Sequence, residues 1–367
     1  MNESAEYESH LRRAITLACR GLDTVSPNPA VGAVIVKEGR VVGEGWHRRA
    51  GAPHAEALAL GAAGADAAGA TLFANLEPCC HRGRTPPCVD AIIEAGIERV
   101  VACIEDPNPL VGGKGFAKLR SAGIEVDVGR LASRAERLNE VYLHCVRRRA
   151  PFVHVKAGLS MDGRIATAAG ESQWITSERA RRYAQRLRRR YDAILVGVGT
   201  LLADDPLLTV RVKGGGAIHR IVIDSRLRTP PDAKVFSAAA AGDILIATTE
   251  NADMGRLSEL RSRGAEVVVC GTRDEKVDLA QLLDILFQRG ITSVMVEGGG
   301  ETIAAFLEAG LVNKVTFVYA PKIIGGHRAV PAVGGRELTR LGDAVSLRDL
   351  RSFRLGPDIA IEGYCVS

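Results

Sequence analysis

Residues 31–46, VGAVIVKEGRVVGEGW, read as a strand, a tight turn and a returning strand. Apolar residues run through 31–36, KEGR supplies the turn, and 41–46 carries the chain back. Outside this hairpin the period changes. Upstream, Tyr7, Leu11, Ile15 and Ala18 recur at helical spacing over 6–19. Downstream, helices expected at 56–63, 88–95 and 116–121 alternate with strands at 71–76, 100–104 and 124–128, and a further helix is expected over 131–146. The Ala/Gly-rich stretch 61–70 reads as a helix end and turn. A hairpin followed by alternating strands and helices predicts a layered α/β domain.

The run RRRAP at 147–151 breaks the pattern with charge and a proline, and a new strand follows at 152–159. Strands are then expected at 193–196, 220–223, 244–247, 267–270, 293–297 and 314–319. Helices are expected at 178–190, 254–263, 279–288 and 302–309. The chain of 367 residues is long enough for two domains. The division predicted is 1–149 and 150–367, with a second α/β sheet, mainly parallel, and a β-rich C-terminal end.

Composition narrows the classes. Apolar residues at 46% and charged residues at 25% are those of a globular protein, which excludes a disordered or collagenous chain. Aromatics at 4% are too few for a stacking platform along single-stranded nucleic acid, and a net charge of +5 is too mild to imply a nucleic-acid partner. The opening MNESAEYESH has no apolar leader, and no apolar run is long enough to span a membrane. A cytoplasmic chain with eight reduced cysteines is therefore expected, and clustered cysteines then point to metal.

That cluster comprises His54, Cys79 and Cys88, with Glu56 one residue beyond the first ligand. A catalytic zinc takes three protein ligands and keeps one position open for water, whose pKa it lowers towards ~7. Glu56 would take the water's proton and deliver it to a ring nitrogen and then to departing ammonia. The zinc-deaminase signature is H-x-E followed by P-C-x-x-C. Here eight residues, CHRGRTPP, stand between Cys79 and Cys88. Cys80 and His81 compete as ligands, and a closed four-ligand structural zinc is the alternative. Cys88 is preferred because it begins a helix, where a thiolate is stabilised. Cys19, Cys103, Cys145, Cys270 and Cys365 are expected to be buried and inert. Asn28, between two prolines, His47 and the turn Asp106-Pro107-Asn108-Pro109 lie at strand ends, where α/β sites gather.

A second site is signalled by Gly298-Gly299-Gly300 between a strand and a helix, a turn whose N–H groups can face an anion such as a pyrophosphate. It is not G-x-G-x-x-G. In IVIDSRLR, residues 221–228, an acid after a strand suggests a ribose diol, yet Ser225, Arg226 and Arg228 suit a 2′-phosphate. Seven arginines lie between 179 and 190; most are read as a solvated face, with one or two at a substrate phosphate.

SPNPAVGAVIV, HAEALAL, LEPCCHRGRTPPC and EDPNP resemble the deaminase half of the bifunctional riboflavin-biosynthesis deaminase–reductases. VKAGLSMDGRIA, GESQWITS, LADDPLLTVR, RIVIDS and VEGGGET resemble their reductase half, so the resemblance covers nearly the whole chain. It implies a cytidine-deaminase-like three-layer domain followed by a dihydrofolate-reductase-like α/β domain. It implies one zinc at His54, Cys79 and Cys88, Glu56 as proton shuttle, and Asn28, His47, His81, Arg84, Asp106 and Asn108 around a pyrimidine and its ribose phosphate. In the second half it implies NADPH contacts at Gly158, Trp174, Thr200, Asp204, Ser225, Gly299, Gly300, Glu301 and Thr302. Substrate contacts are implied at Lys156, Ser172, Arg188, Leu208, Arg211 and Glu297, with Arg188 and Arg211 on the phosphate. Asp162 and Asp205 are read as structural or capping residues, and Lys156 and Glu297 as possible proton carriers. The implied reactions are deamination of a phosphorylated aminopyrimidine and reduction of its ribosyl group. The expected partner is that small molecule, with no nucleic acid, no membrane and a homo-oligomeric assembly. A nucleic-acid base deaminase with an accessory domain and a zinc-stabilised nucleotide-binding regulator are the alternatives.

Overall fold

The hairpin forms as β1 (Gly32–Lys37) and β2 (Arg40–Trp46), paired antiparallel. The structure, a computed structural model, describes residues 3–82, 86–212, 215–237 and 243–366. It divides into two units, Met1–Arg149 and Ala150–Ser367. In the first, β3 (Thr71–Ala74), β4 (Arg99–Ala102) and β5 (Glu125–Val128) complete a sheet of order β2-β1-β3-β4-β5. α1 (Glu3–Ala18), α2 (Ala55–Ala63), α3 (Cys88–Glu94), α4 (Lys114–Ser121), α5 (Ala132–Leu138) and α6 (Glu140–Arg148) flank it. Alternate residues of β1 serve opposite faces. Ala33 and Ile35 pack with Ala55, Ala59, Val89, Ile92, Phe116 and Leu119. Val34 and Val36 pack with Leu11, Leu17, Ala135 and Leu143. Burial on both faces explains the unbroken apolar run, and the unit has three layers.

Two glycines seat the helix that carries the first site. A Cβ on Gly43 would stand 2.2 Å from the Ala59 carbonyl oxygen, and one on Gly45 2.3 Å from that of Ala55. Gly45→Ala is therefore expected to destabilise the first unit by roughly 2 kcal/mol by shifting the first turn of α2. Gly61, in α2 but with nothing within 4 Å of an added Cβ, is the control: Gly61→Ala should stabilise by about 0.5–1 kcal/mol. Thermal unfolding of the two variants checks the pair.

The expected helix over 131–146 is interrupted. Asn139 separates α5 from α6, and its buried side chain accepts from Ala30 N at 2.8 Å and donates to Ala30 O at 3.0 Å. The break lets one carboxamide hold the entry to β1 from a distant part of the chain. Cys19 also departs from expectation: it is exposed, just beyond α1. Cys103, Cys145 and Cys270 are buried, and Cys365 is half-buried.

The second unit has a nine-stranded sheet. Its chain-order strands are β6 (Phe152–Ser160), β7 (Arg164–Ala166), β8 (Ala193–Gly197), β9 (His219–Ile223), β10 (Ile244–Thr249), β11 (Ala265–Cys270), β12 (Thr272–Arg273), β13 (Lys276–Val277), β14 (Ser293–Val296), β15 (Lys314–Ala320), β16 (Val330–Pro331), β17 (Leu347–Leu355) and β18 (Asp358–Cys365). The sheet order is β11-β10-β9-β8-β14-β6-β15-β18-β17; β12–β13 and β16–β7 are separate short pairs. The first seven strands run parallel, and the C-terminal hairpin β17–β18 adds antiparallel. The helices are α7 (Glu178–Arg188), α8 (Val198–Asp204), α9 (Leu257–Ser262), α10 (Leu279–Gln288) and α11 (Gly300–Glu308). Leu282, Leu286, Ile303 and Phe306 cover one face of the sheet, and Leu201, Val235 and Leu260 cover the other. The C-terminal ends of β6, β8, β9 and β14 gather at one edge, where a parallel sheet presents its ligand crevice. Asp205 caps α8 with φ +41° and accepts from Lys234 N, while Asp162 accepts from Ile324 N and Gly325 N.

Candidate active sites

His54 is the residue before α2 and Cys88 is the first residue of α3, so two helix starts converge on the Cys79 segment. His54 Nδ1 lies 3.2 Å from Cys88 Sγ and 3.4 Å from Cys79 Sγ, and all three donor atoms lie within 4.8 Å of one another. Tetrahedral zinc with ordinary bond lengths needs N···S spacings of about 3.6 Å, so the donors fit that ion in kind and in spacing. Thiolate character collects here. Cys79 is drawn down to about 4, first by the Cys88 thiol that donates to it and also by His54. Cys88 is pushed far up by the same bond and by burial. Cys80 does not join the group; its Sγ lies 3.7 Å from the Leu110 carbonyl oxygen.

Glu56 is 3% exposed and its Oε2 lies 3.6 Å from Cys88 Sγ. Burial, and then the Cys79 thiolate, pushes its carboxyl up. His47 stacks edge-on to His54 at 5.3 Å between ring centroids. Its Nδ1 bonds the Pro53 carbonyl oxygen at 3.2 Å, which leaves Nε2 to accept from the Asn28 carboxamide at 3.1 Å. Burial holds His47 down, hence neutral. Asp106 Oδ1 accepts from Asn108 N at 2.9 Å, and Asn108 Oδ1 accepts from Leu110 N at 3.0 Å, so the turn chemistry expected of DPNP is present. Among the described residues, the buried His81 Nδ1 has no hydrogen-bond partner. Arg84 lies outside the described residues. Sequence reading missed Glu77 and Tyr142, which bond the Asp106 segment. The only cue for Glu77 was its place in LEPCC.

In the second unit, one cleft of about 1600 Å³ is lined by Lys156, Gly158, Ser172, Trp174, Arg188, Thr200, Asp204, Arg211, Ser225, Glu297 and the Gly299–Thr302 turn. That exceeds the ~300–1,000 Å³ of a common small-ligand site and has room for two ligands. Gly298 and Gly299 have φ of 137° and 76°, a path open to glycine. α11 begins directly after them, and its first residues Gly300, Glu301 and Thr302 line the cleft. The Ser172 hydroxyl donates to Asp204 at 2.8 Å, joining an expected substrate residue to an expected cofactor residue. Arg181 stacks over Trp174 at 4.4 Å. The Leu208 side chain is 3% exposed and packs in the core beside Leu201 and Val222.

Arg188 and Glu297 form a bidentate pair at 2.7 and 2.8 Å, and Arg188 also donates to Thr209 O at 2.6 Å. Lys156 Nζ stands 3.9 Å from Glu297. Burial alone would raise Glu297, but Arg188 and Lys156 outweigh it and hold the carboxyl at about 2. Glu297 is therefore held as an anion at neutral pH. Asp224 is fully buried and bonds Thr229 N and Oγ1, both at 2.7 Å, instead of reaching the cleft. Ser225, Arg226 and Arg228 do line it.

Two family models match the chain. The cytidine and deoxycytidylate deaminase zinc-binding region matches residues 4–104, and the RibD C-terminal domain matches residues 151–361. A zinc-binding deaminase domain is thus joined to a reductase domain. The riboflavin biosynthesis protein RibD of Actinobacillus pleuropneumoniae is 43% identical over 98% of this chain and 95% of its own length. That of Escherichia coli is 42% identical over 96% and 98%. The crystallised Acinetobacter baumannii RibD, form 1, superposes with a TM-score of 0.87 at 35% identity over the whole of both chains. A Thermotoga maritima structure, a diaminohydroxyphosphoribosylaminopyrimidine deaminase/5-amino-6-(5-phosphoribosylamino)uracil reductase, gives 0.86 at 35%, again over both whole chains. The chain belongs to the RibD family of bifunctional deaminase–reductases of riboflavin biosynthesis. Likeness across both halves disfavours a nucleic-acid base deaminase with an accessory domain. Among the described residues no helix is long and apolar enough to cross a membrane.

Proposed function

We propose that residues 1–149 deaminate 2,5-diamino-6-(5-phosphoribosylamino)pyrimidin-4-one, and that residues 150–367 then reduce the ribosyl group with NADPH to give 5-amino-6-(5-phosphoribitylamino)uracil. The observation that carries the reading is the buried Glu56 carboxylate against the His54–Cys79–Cys88 donors. Zinc, when bound by those three, supplies the Lewis acidity that makes water nucleophilic near neutral pH. Glu56 takes the proton of the attacking water, gives it to the ring nitrogen, and then assists the leaving amino group. Neutral His47 and Asn28, already bonded to each other, orient the pyrimidine. Asp106, Asn108 and His81, with Arg84, hold the ribose phosphate side.

NADPH supplies the hydride of the second reaction. The Gly299–Thr302 turn suits its pyrophosphate. Asp224 is engaged by Thr229, and Ser225, Arg226 and Arg228 remain at the cleft, which favours a 2′-phosphate over a bare ribose diol. Gly158, Trp174, Thr200 and Asp204 complete the cofactor side. Lys156, Ser172, Arg188, Arg211 and Glu297 form the substrate side, where Arg188 is committed to Glu297 and Arg211 is the better phosphate partner. Free thiols and a reduced nicotinamide fit a cytoplasmic enzyme.

The test is a two-step assay. Ammonia should be released from the pyrimidine nucleotide and not from oligonucleotides, and NADPH should be consumed only after that release. Ammonia release from oligonucleotides alone would sink the reading. Arg211→Ala should raise KM of the reductase step by an amount worth ~1.5–3 kcal/mol, the range of a charge-assisted hydrogen bond. With a dephosphorylated substrate the difference should nearly vanish; equal losses on both substrates would make Arg211 structural.

A further inference from the structure

Asp106 and Asn108 sit on the loop between β4 and α4, and two side chains outside the proposed chemistry hold that loop. Glu77 is 3% exposed. Its carboxylate accepts the amides of Asp106, Gly113 and Phe116 at 3.1, 3.0 and 3.2 Å. The start of α4 is packed onto it, since a Cβ on Gly115 would stand 2.9 Å from Glu77 Oε1. Glu77 is two residues before Cys79, so one carboxylate ties the loop to the segment that bears a metal donor. From α6, the Tyr142 hydroxyl lies 2.9 and 3.1 Å from the two Asp106 carboxylate oxygens, and the Asn108 side chain lies against the same hydroxyl. A phenol touching both groups fixes their rotamers relative to each other, which loop backbone alone does not do.

We infer that Glu77 and Tyr142 are positioning residues of the deaminase site, holding Asp106 and Asn108 in register with the three-donor cluster. The inference rests on the reading of Asp106 and Asn108 as substrate contacts. Neither positioning residue belongs to the donor group, so their loss acts on substrate binding and leaves the metal in place.

The full-length chain tests this, with the reductase activity of the same molecule as internal control. Tyr142→Phe removes one oxygen. It should raise the deaminase KM about tenfold, with kcat changed less than about twofold, zinc at one per chain and reductase kinetics unaltered. Glu77→Gln sets an N–H against backbone N–H donors. It should raise KM further and speed hydrogen exchange at the Asp106, Gly113 and Phe116 amides. The double variant should fall short of the product of the two effects, because both act through Asp106. If both single variants keep the parental KM while Asp106→Asn raises it, the inference is overturned and the substrate reading stands. If Asp106→Asn changes neither KM nor kcat, the substrate reading has failed, and the inference with it. Should Glu77→Gln lose zinc or fail to fold, Tyr142→Phe decides alone, and an unchanged KM overturns the proposal.

Discussion

Glu56→Gln is expected to cut deaminase turnover by about a thousandfold or more while zinc stays at one per chain. Positioned acid–base catalysis is worth ~10²–10⁴, and here one carboxylate serves the attacking water, the ring nitrogen and the leaving group. The amide keeps the shape and cannot carry the proton. Zinc should remain because Glu56 stands outside the three-donor group. Cys88→Ser is the converse variant: it removes a donor, so metal content should fall together with activity and local stability. Metal analysis beside an ammonia assay separates the two. Normal turnover in Glu56→Gln would sink the proton-shuttle role. Full zinc occupancy in Cys88→Ser would mean that a residue outside the cluster supplies the third ligand.

What the sequence made legible followed from residue type and short-range spacing. His54, Glu56, Cys79 and Cys88 could be read because metal chemistry admits few side chains. The central strands β1 and β8 could be read because burial on both faces leaves an unbroken apolar run. Long-range bonding was not legible. Glu77 receives amides 29 to 39 positions away, and Asn139 holds Ala30 across 109. No local pattern marks such a partner. α8 escaped notice because it is seven residues long and has no side-chain cap. β17 is mostly exposed and carries charges, so its sequence, LRDLRSFRL, lacks the alternation of a half-buried strand. Membership in a motif fixes a position in the chain; packing decides whether that side chain faces the ligand, enters the core or braces a neighbour.

Glu297→Ala should have the largest effect on stability, costing about 3–5 kcal/mol in the second unit. Side-chain exposure in the Arg188–Glu297 pair is 11% and 8%, so removing the carboxylate leaves a largely buried guanidinium without its counter-charge. The Thr209 carbonyl oxygen remains as an acceptor but brings no charge. Glu297→Gln separates charge from shape. In the parent, the folded carboxyl sits at about 2 against an ordinary 4.5, a depressed value. Its stabilisation, about 3 kcal/mol from that gap, is therefore complete above pH ~4.5 and is lost as pH falls from there towards 2. Glu297→Gln lacks the titrating group. It should be less stable than the parent at pH 7, and the difference should shrink as both are taken from pH 5 to pH 2.5. Urea unfolding at several pH values reads this directly. A difference that stays constant with pH would mean that the pair contributes through packing alone and that Glu297 is not held ionised by Arg188 and Lys156. In that case Glu297 would be free to hold a proton in the cleft and could donate it in the reductase step.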